Sequence, residues 1–278
     1  MVDIDDHVLF FENYDDDDEV MEQLLGIQTK NPREFWPALL EKAICKLYSS
    51  KTMVIHSNPS MMVFHITGWM PEIIEITEDT NIEYLWQRII QNYNDDNILI
   101  NLETKEYDPT SDFGVNEYKL GKFRHQNTNI ELNYYYNVIK LVDLEKVRLL
   151  LMKNPVGSNH ARTYDPLEFD EYTNKKILDA LDWPEDELNS NGISIAIWDD
   201  ILKYCSAVHL NWSPSVYHYH TSVHSKRLVP EGMYDPASVL WNHEYCIENM
   251  PQVVLKIPPH EEDFEVRIVF ERHITSFQ

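Results

Sequence analysis

The sequence predicts an α+β fold, in which amphipathic helices in the first half of the chain are followed by antiparallel strands. Apolar residues recur at helical spacing from Phe35 to Tyr48 and again from Leu85 to Tyr93. Two runs rich in aliphatic and aromatic residues, Tyr134 to Val142 and Val147 to Met152, are joined by only four residues. So short a connection is typical of an antiparallel hairpin.

The first helix is predicted to begin next to Asn31. This residue is a suitable N-cap, because Pro32 would occupy the first helical position and Glu34 follows the cap by three residues. The preceding acidic run, Asp15 to Glu19, repels itself and is interpreted as a solvated loop, with a Ca²⁺ or partner site as the alternative.

The second helix is followed by a predicted strand from Ile98 to Leu102. The stretch from Leu102 to Asn133 is polar and lacks periodicity, so we expect a long surface loop. Six further elements are predicted after the hairpin: a helix at 174–181, a strand at 193–198, a short helix capped by Asp199, and strands at 207–210, 253–257 and 264–270.

Charge and composition exclude several classes of protein. Lys and Arg number 23 against 47 Asp and Glu, which gives a net charge of −24 and excludes nucleic-acid binding by a general basic surface. A hydrophobic content of 43% is ordinary for a folded chain. No apolar run approaches the ~20 residues that span a bilayer, and acids follow Met1 where a signal peptide would be basic. We therefore expect a cytoplasmic protein without a membrane span.

The cysteines and histidines form no recognisable metal motif. Cys45, Cys205 and Cys246 are widely spaced and odd in number, so buried packing is expected for them. Four histidines near the end of the chain are the only candidate Zn²⁺ ligands, two of them on one face of a supposed strand, but they lack a partnering cysteine. We predict packed or surface histidines and no metal site at His209, His218, His220 and His224.

Four ordered motifs carry a resemblance to a known family. They are Glu34–Ala43, Thr67–Glu72, Lys153–Gly157 and Ile197–Asp200. Together they resemble the second half of the calpain cysteine-protease core. The pattern Gly-Trp-x-Pro-Glu at Gly68–Glu72, with Arg272-His273-Ile274 near the end, is similar to the atypical PalB-like, or calpain seven-like, subgroup.

The resemblance implies a domain organisation. Residues 1–213 would form the second, β-rich half of a papain-like calpain core. Residues 214–278 would then be a linker and the first strands of a calpain-type antiparallel β-sandwich, which stays incomplete because few residues follow Phe270.

The resemblance also implies a catalytic triad of Cys, His and Asn, of which this sequence retains one member. The family Cys lies upstream of the segment at which this sequence starts. The family His opens a strand in the pattern His-Ala-Tyr-x-Val, and its spacing from Asn154 places it at Tyr134. A phenol, with a pKa near ~10, is a poor base at neutral pH. A one-residue shift would place Asn133 or Tyr135 there, and neither is His.

Two further positions depart from the family pattern. The Trp that follows the family Asn-Pro is replaced by Val156. A family Ca²⁺ site uses carboxylates just after this turn, but Ser158 to Arg162 contains none, so Ca²⁺ gating is not predicted and no cofactor is expected.

The preferred hypothesis is therefore a calpain-like pseudopeptidase that binds or scaffolds. A half-cleft flanked by Trp69 and Asn154, with Val156 beside it, would hold an extended peptide, or the domain would dock on an active paralogue. The alternative is a fragment of an intracellular calpain-type cysteine endopeptidase whose nucleophile half is missing from the gene model.

Overall fold

The computed structural model describes most of the residues between Phe10 and Val223 and two short stretches after them. The described residues are 10–14, 20–24, 27, 29, 31, 33–47, 58–111, 113–118, 122–144, 147–154, 163–183, 192–223, 254–257 and 266–270. The chain divides into one unit of residues Met1–Val216 with Val269–Gln278 and a second of Tyr217–Ile268. Every element named below belongs to the first unit.

A six-stranded antiparallel sheet organises the first unit, in the strand order β3-β10-β4-β7-β8-β9. Its strands are β3 (Met70–Glu75), β4 (Ile98–Thr104), β7 (Tyr135–Leu144), β8 (Val147–Lys153), β9 (Ile193–Ile197) and β10 (Cys205–Trp212). A separate antiparallel pair is formed by β1 (Phe10–Tyr14) and β2 (Val20–Leu24). Together with the helices, this sheet confirms the predicted α+β class.

Helices lie on both faces of the sheet. The helices of the described part are α1 (Trp36–Leu47), α2 (Pro59–Thr67), α3 (Ile82–Asn94), α4 (Glu171–Leu181) and the single turn α5 (Trp198–Ile201), of which α2 to α5 contact the sheet. Trp86 of α3 is fully buried and donates to Asp143, whereas Ile177 and Leu181 of α4 pack on the adjacent residue Val142. Neighbouring residues of a strand point to opposite faces, so α3 and α4 cover opposite faces.

Helix α1 begins later than the sequence predicted. Asn31 does cap a turn, accepting from the Arg33 N–H at 3.1 Å, but the helix starts only at Trp36. Pro37 explains the difference. In a helix that began at Pro32, Pro37 would lack the N–H for the ladder and its ring would clash with the preceding turn, whereas in the first turn it is tolerated.

Helix α2 was not predicted, although its ends carry ordinary signals. The Asn58 side chain accepts from the N–H groups of Ser60 and Met61, and Pro59 occupies the first position. Gly68 ends the helix at φ +75°, a left-handed conformation that favours glycine.

The region predicted as a long loop, Leu102 to Asn133, contains a hairpin instead. Strands β5 (Val115–Tyr118) and β6 (Lys122–His125) pair there, and Tyr107 stacks on Phe123 with ring centroids 3.6 Å apart. Aromatic packing, which sequence periodicity does not report, orders this segment.

Two further predictions need correction. Asp199 does not cap the short helix, because α5 already begins at Trp198 and the Asp199 carboxylate pairs with Arg148. The strands predicted at 253–257 and 264–270 are not formed in their described parts, 254–257 and 266–270, which have no regular secondary structure. Phe270 is 84% exposed there, because an alternating run becomes a strand only where a partner strand pairs with it.

Candidate functional site

Tyr134 and Asn154, the two positions that carry the triad argument, lie at the same end of the six-stranded sheet. Tyr134 immediately precedes β7, and its carbonyl accepts from the Thr104 N–H at 2.9 Å. Asn154 immediately follows β8, and its N–H donates to the Gly192 carbonyl at 2.9 Å. Because β7 and β8 are antiparallel neighbours, the start of one lies beside the end of the other.

The Asn154 side chain bonds to a carboxylate. Its Nδ2 atom donates to Glu131 Oε2 at 3.2 Å, and both residues are almost completely buried. An amide in this position holds an imidazole in the triad that the resemblance implied. Here it satisfies a buried carboxylate, which would otherwise be costly to remove from water.

Glu131 is held by several neighbours. Arg124 Nη2 lies 3.4 Å from Glu131 Oε1, and the Glu131 N–H donates to the Tyr136 hydroxyl at 2.9 Å. The Glu131 carbonyl accepts from Thr104 Oγ1 at 2.8 Å. We call Arg124, Glu131, Tyr136 and Asn154 the Glu131 network; it joins β6, β7 and the end of β8 in one buried polar cluster.

Sequence reasoning missed Glu131 because it lies in the stretch predicted to be a loop. One signal was available: Glu131 stands between Ile130 and Leu132, and all three residues are buried. A single acidic residue between two apolar residues, in a stretch without helix or strand periodicity, indicates a buried carboxylate that needs hydrogen-bond or ion-pair partners.

Tyr134 is a poor proton acceptor in this setting. Burial raises the pKa of its phenol, and the negative charge of Glu131 raises it further. Its ring lies edge-on to Tyr136, with centroids 6.3 Å apart. A phenol whose pKa lies above its ordinary value of ~10 is almost fully protonated at neutral pH, so it cannot serve there as a general base.

The structure does not bring Trp69 to this site. Trp69 precedes β3, whose first residue Met70 pairs with Trp212, at the other end of the sheet from Asn154. At standard spacings the two are roughly 16 Å apart along the strands and roughly 19 Å apart across them. Trp69, which is half-buried, and Asn154 therefore do not border the same half-cleft. Val156 and Ser158 to Arg162 lie outside the described residues.

Cys205 is unsuited to nucleophilic chemistry. Burial raises the pKa of the Cys205 thiol to about 12, and its Sγ donates to the Ile201 carbonyl at 3.3 Å. This confirms the packing role predicted for Cys205. Cys45 is half-buried on α1, and Cys246 lies outside the described residues.

Of the four histidines considered as Zn²⁺ ligands, the three that are described have different surroundings. His209 is buried on β10, and its Nε2 lies 2.6 Å from Glu103 Oε2. His218 and His220 are exposed and lie on no strand, contrary to the prediction that they share a strand face, and His224 is not described. Within the described ranges, no three His, Cys, Asp or Glu residues form a group that could hold a metal ion. No helix in those ranges has the length and apolar character to cross a membrane.

Alkaline pH is expected to weaken the fold through Tyr136. Burial raises the pKa of its phenol far above the ordinary value of 10.0. Above pH 10 the unfolded chain therefore releases this proton before the folded chain does, so the free energy of unfolding falls as pH rises. Urea unfolding at about pH 8 and about pH 11 should show a smaller loss in Tyr136→Phe than in wild type. Tyr84→Phe, at a tyrosine that is 68% exposed, is the control, and an equal reduction in both variants would contradict the assignment.

Comparison with known proteins gives consistent matches to one family. The sequence profile described as calpain family cysteine protease matches residues 3–164. Calpain-7 of Mus musculus is 24% identical, over 91% of this chain and 29% of that protein. Calpain-like protease palB/cpr-8 of Neurospora crassa is 26% identical, over 90% of this chain and 25% of that protein. The chain thus spans less than a third of the length of these relatives. The predicted resemblance to the PalB-like and calpain seven-like subgroup is confirmed.

Proposed function

The chain belongs to the calpain family of cysteine proteases, and on that premise we propose that it is a catalytically inactive member that acts by binding. It would serve as a pseudopeptidase that engages a protein or peptide partner, such as an active paralogue, in the cytoplasm. The observation that carries the proposal is the hydrogen bond from Asn154 to buried Glu131. The sequence spacing that predicts Tyr134 at the position of the family His supports it.

Peptide hydrolysis by a papain-like triad needs a thiolate nucleophile and a base that takes up and returns a proton. The base must be oriented by a third group. In this chain the orienting amide of Asn154 is engaged by Glu131, and Tyr134 holds its own proton. The Cys205 thiol is protonated and buried. Removal of one triad member alone typically lowers the rate by ~10⁴ or more, so no measurable turnover is expected.

The buried Glu131 network also supports a structural role for the position that the implied catalytic triad would occupy. A carboxylate that accepts from Asn154 and pairs with Arg124 fixes the end of β8 against β6. Rigid surfaces lose less conformational entropy on association, which favours a binding role for a domain that no longer needs catalytic motion.

Incubation of the purified protein with casein or a fluorogenic peptide should give no cleavage, with or without millimolar Ca²⁺. A calpain-family protease assayed in parallel sets the detection limit. Turnover that persists through repurification and is abolished by a cysteine-directed epoxide would overturn the proposal.

Cysteine labelling provides a second, independent measurement. An epoxide inhibitor should modify Cys45, Cys205 and Cys246 no faster than free cysteine, because activation of a thiol requires a depressed pKa. Mass spectrometry of tryptic peptides identifies the labelled residue. One cysteine that reacts far faster than free thiol would contradict the absence of a nucleophile.

The alternative, a fragment of an intracellular calpain-type cysteine endopeptidase, is favoured by the partial coverage of the relatives, of which this chain spans 29% or less. Sequencing the transcript upstream of Met1 distinguishes the two functions. A segment there that encodes a nucleophile of the Gln-x-x-Asp-Cys type would favour the alternative, although Tyr134 would still stand where the family has His.

A further inference from the structure

Strand β3 is the edge of the six-stranded sheet, and part of its backbone is open. The Ile76 N–H donates to the Ser206 carbonyl at 2.8 Å, next to the pair Glu75 and Ala207. Bonded and non-bonded pairs alternate along an antiparallel ladder, so Ile73 and Glu75 direct their backbone groups away from β10. Among the described residues, nothing bonds to the N–H groups of Ile73 and Glu75.

By contrast, β9 at the other edge of the sheet is largely closed to an added strand. On β9 the Ile197 N–H donates to Thr163 Oγ1 at 2.8 Å, and four of the five residues of the strand are buried. Ile73 of β3 is 50% exposed. Pro71 lacks an N–H and limits pairing at the start of β3, so only the stretch around Ile73 and Glu75 offers an edge to another strand.

A groove of about 370 Å³ lies beside this edge. Its floor is Ala207, which stands in one row between Glu75 of β3 and Glu103 of β4. Its lining residues are Ile73, Glu75, Ile76, Thr77, Glu103, Lys105, Ser206 and Ala207. The small alanine between two longer acids leaves a trough that is apolar at its base and negative at both rims.

The two acids of the groove differ in their surroundings: Glu103 is paired with His209, whereas no ion pair of Glu75 is found in the described part of the chain. Glu103 is held by His209, whose Nε2 lies 2.6 Å from Oε2, and the His209 ring is fixed edge-on by Tyr135 at 5.6 Å. Lys105, the cation in the lining, places its ammonium over the Phe113 ring at 5.4 Å. No ion pair joins Lys105 to Glu75 or Glu103 in the described part of the chain.

We propose that β3 and this groove form a binding site for an extended, cationic segment of a partner protein, which adds to the sheet beside β3. The N–H and carbonyl of Ile73 and the N–H of Glu75 would pair with the segment, whereas the Glu75 carbonyl already accepts from Thr80 Oγ1 at 3.3 Å. Its Lys or Arg side chains, at alternate positions, would pass over β3 into the groove, contacting Glu75 directly and lying in the field of Glu103. The chain's net charge of −24 favours the encounter.

This site is distinct from the Glu131 network. Tyr135 packs on His209, on the face that carries Glu103, whereas the next residue, Tyr136, belongs to the network. Adjacent residues of a strand point to opposite faces, so the groove and the network lie on opposite faces of the sheet. Binding in the groove does not depend on whether the chain is catalytically active.

The test uses the whole chain and a short fluorescein-labelled peptide of alternating lysine and valine, with fluorescence anisotropy as the readout. Saturable binding is expected, and Glu75→Lys should weaken it by about tenfold, because an attraction becomes a repulsion. Ile73→Pro should also weaken it while leaving the melting temperature nearly unchanged, since the N–H that it removes is not used within the sheet.

Two controls separate this site from general attraction to an acidic protein. Glu168→Lys makes the same charge change at an exposed residue outside the groove and should alter the affinity by less than about twofold. A peptide of alternating lysine and proline carries the same charge but cannot pair as a strand, and it should bind much more weakly. Equal weakening by the Glu75 and Glu168 variants, equal binding of the two peptides, or no binding to the wild-type chain would each overturn the proposal.

Discussion

Replacement of Trp86 with alanine is expected to lower the free energy of unfolding by about 3–5 kcal/mol. The side chain of Trp86, a residue of α3, is fully buried. Its ring centroid lies 5.2 Å from that of Trp198, and its Nε1–H donates to Asp143 Oδ2 at 2.7 Å. Truncation removes a large apolar surface, leaves a cavity between α3 and the sheet, and deprives Asp143 of its donor. Urea unfolding followed by circular dichroism measures the loss.

Trp36→Ala is the matched control. Trp36 is 63% exposed at the start of α1, so the same truncation there should change stability by no more than about 0.5 kcal/mol. Trp86→Phe should give an intermediate loss, because an aromatic ring remains but the bond to Asp143 does not. Equal effects of Trp86→Ala and Trp36→Ala would show that α3 does not contribute the core contacts described above.

Replacement of Glu131 with alanine is expected to cost about 2–4 kcal/mol of folding stability. The change removes the carboxylate that accepts from the buried Asn154 amide and pairs with Arg124. Asn154 is completely buried and Arg124 is partly buried, so the loss of this carboxylate should exceed the net value of one surface ion pair, which is ~0–1 kcal/mol. Thermal or urea unfolding reports it.

Glu131→Gln and Glu168→Ala complete this comparison. The Gln side chain keeps an acceptor for Asn154 but loses the charge beside Arg124, so its loss should be smaller than that of Glu131→Ala. Exposed Glu168 should be nearly neutral. A double-mutant cycle with Asn154→Ala should show strong non-additivity because the two side chains share one bond. Additive losses would mean that Asn154 acts through some other contact.

Sequence patterns predicted the elements whose signal is local. The helix around Leu85 to Tyr93, the hairpin at 135–153 and α4 follow from apolar spacing and short connections, and the structure confirms them. The start of α1 was predicted too early because both Pro32 and Pro37 are suited to the first helical turn. Helix α2 was overlooked although Asn58, Pro59 and Gly68 mark its ends, since its apolar residues show little one-sided periodicity.

The site was predictable only in part. The sequence spacing predicted that Tyr134 and Asn154 lie near each other, because they flank the two neighbouring strands of one hairpin. Trp69 was misplaced because its position depends on β10 lying between β3 and β4, a pairing over long sequence distance that no local pattern encodes. Glu131 was missed because it lies in the stretch predicted to be a loop, and its partners Arg124 and Asn154 become neighbours only when the hairpin β5–β6 folds onto the sheet.

The position of β10 also sets the order in which the protein can mature on the ribosome. The hairpin β7–β8 pairs residues close in sequence and can form as soon as it emerges, and β4 can then pair with β7, whereas β3, whose neighbour in the sheet is β10, waits for Cys205–Trp212. Glu72 and Trp212, which bond through the Trp212 indole, are 140 positions apart. At ~5–20 residues per second, β3 is exposed for many seconds before its partner strand is made. The nascent chain therefore carries β3 without its partner strand from the synthesis of Glu75 until that of Cys205, the interval in which a chaperone would shield it.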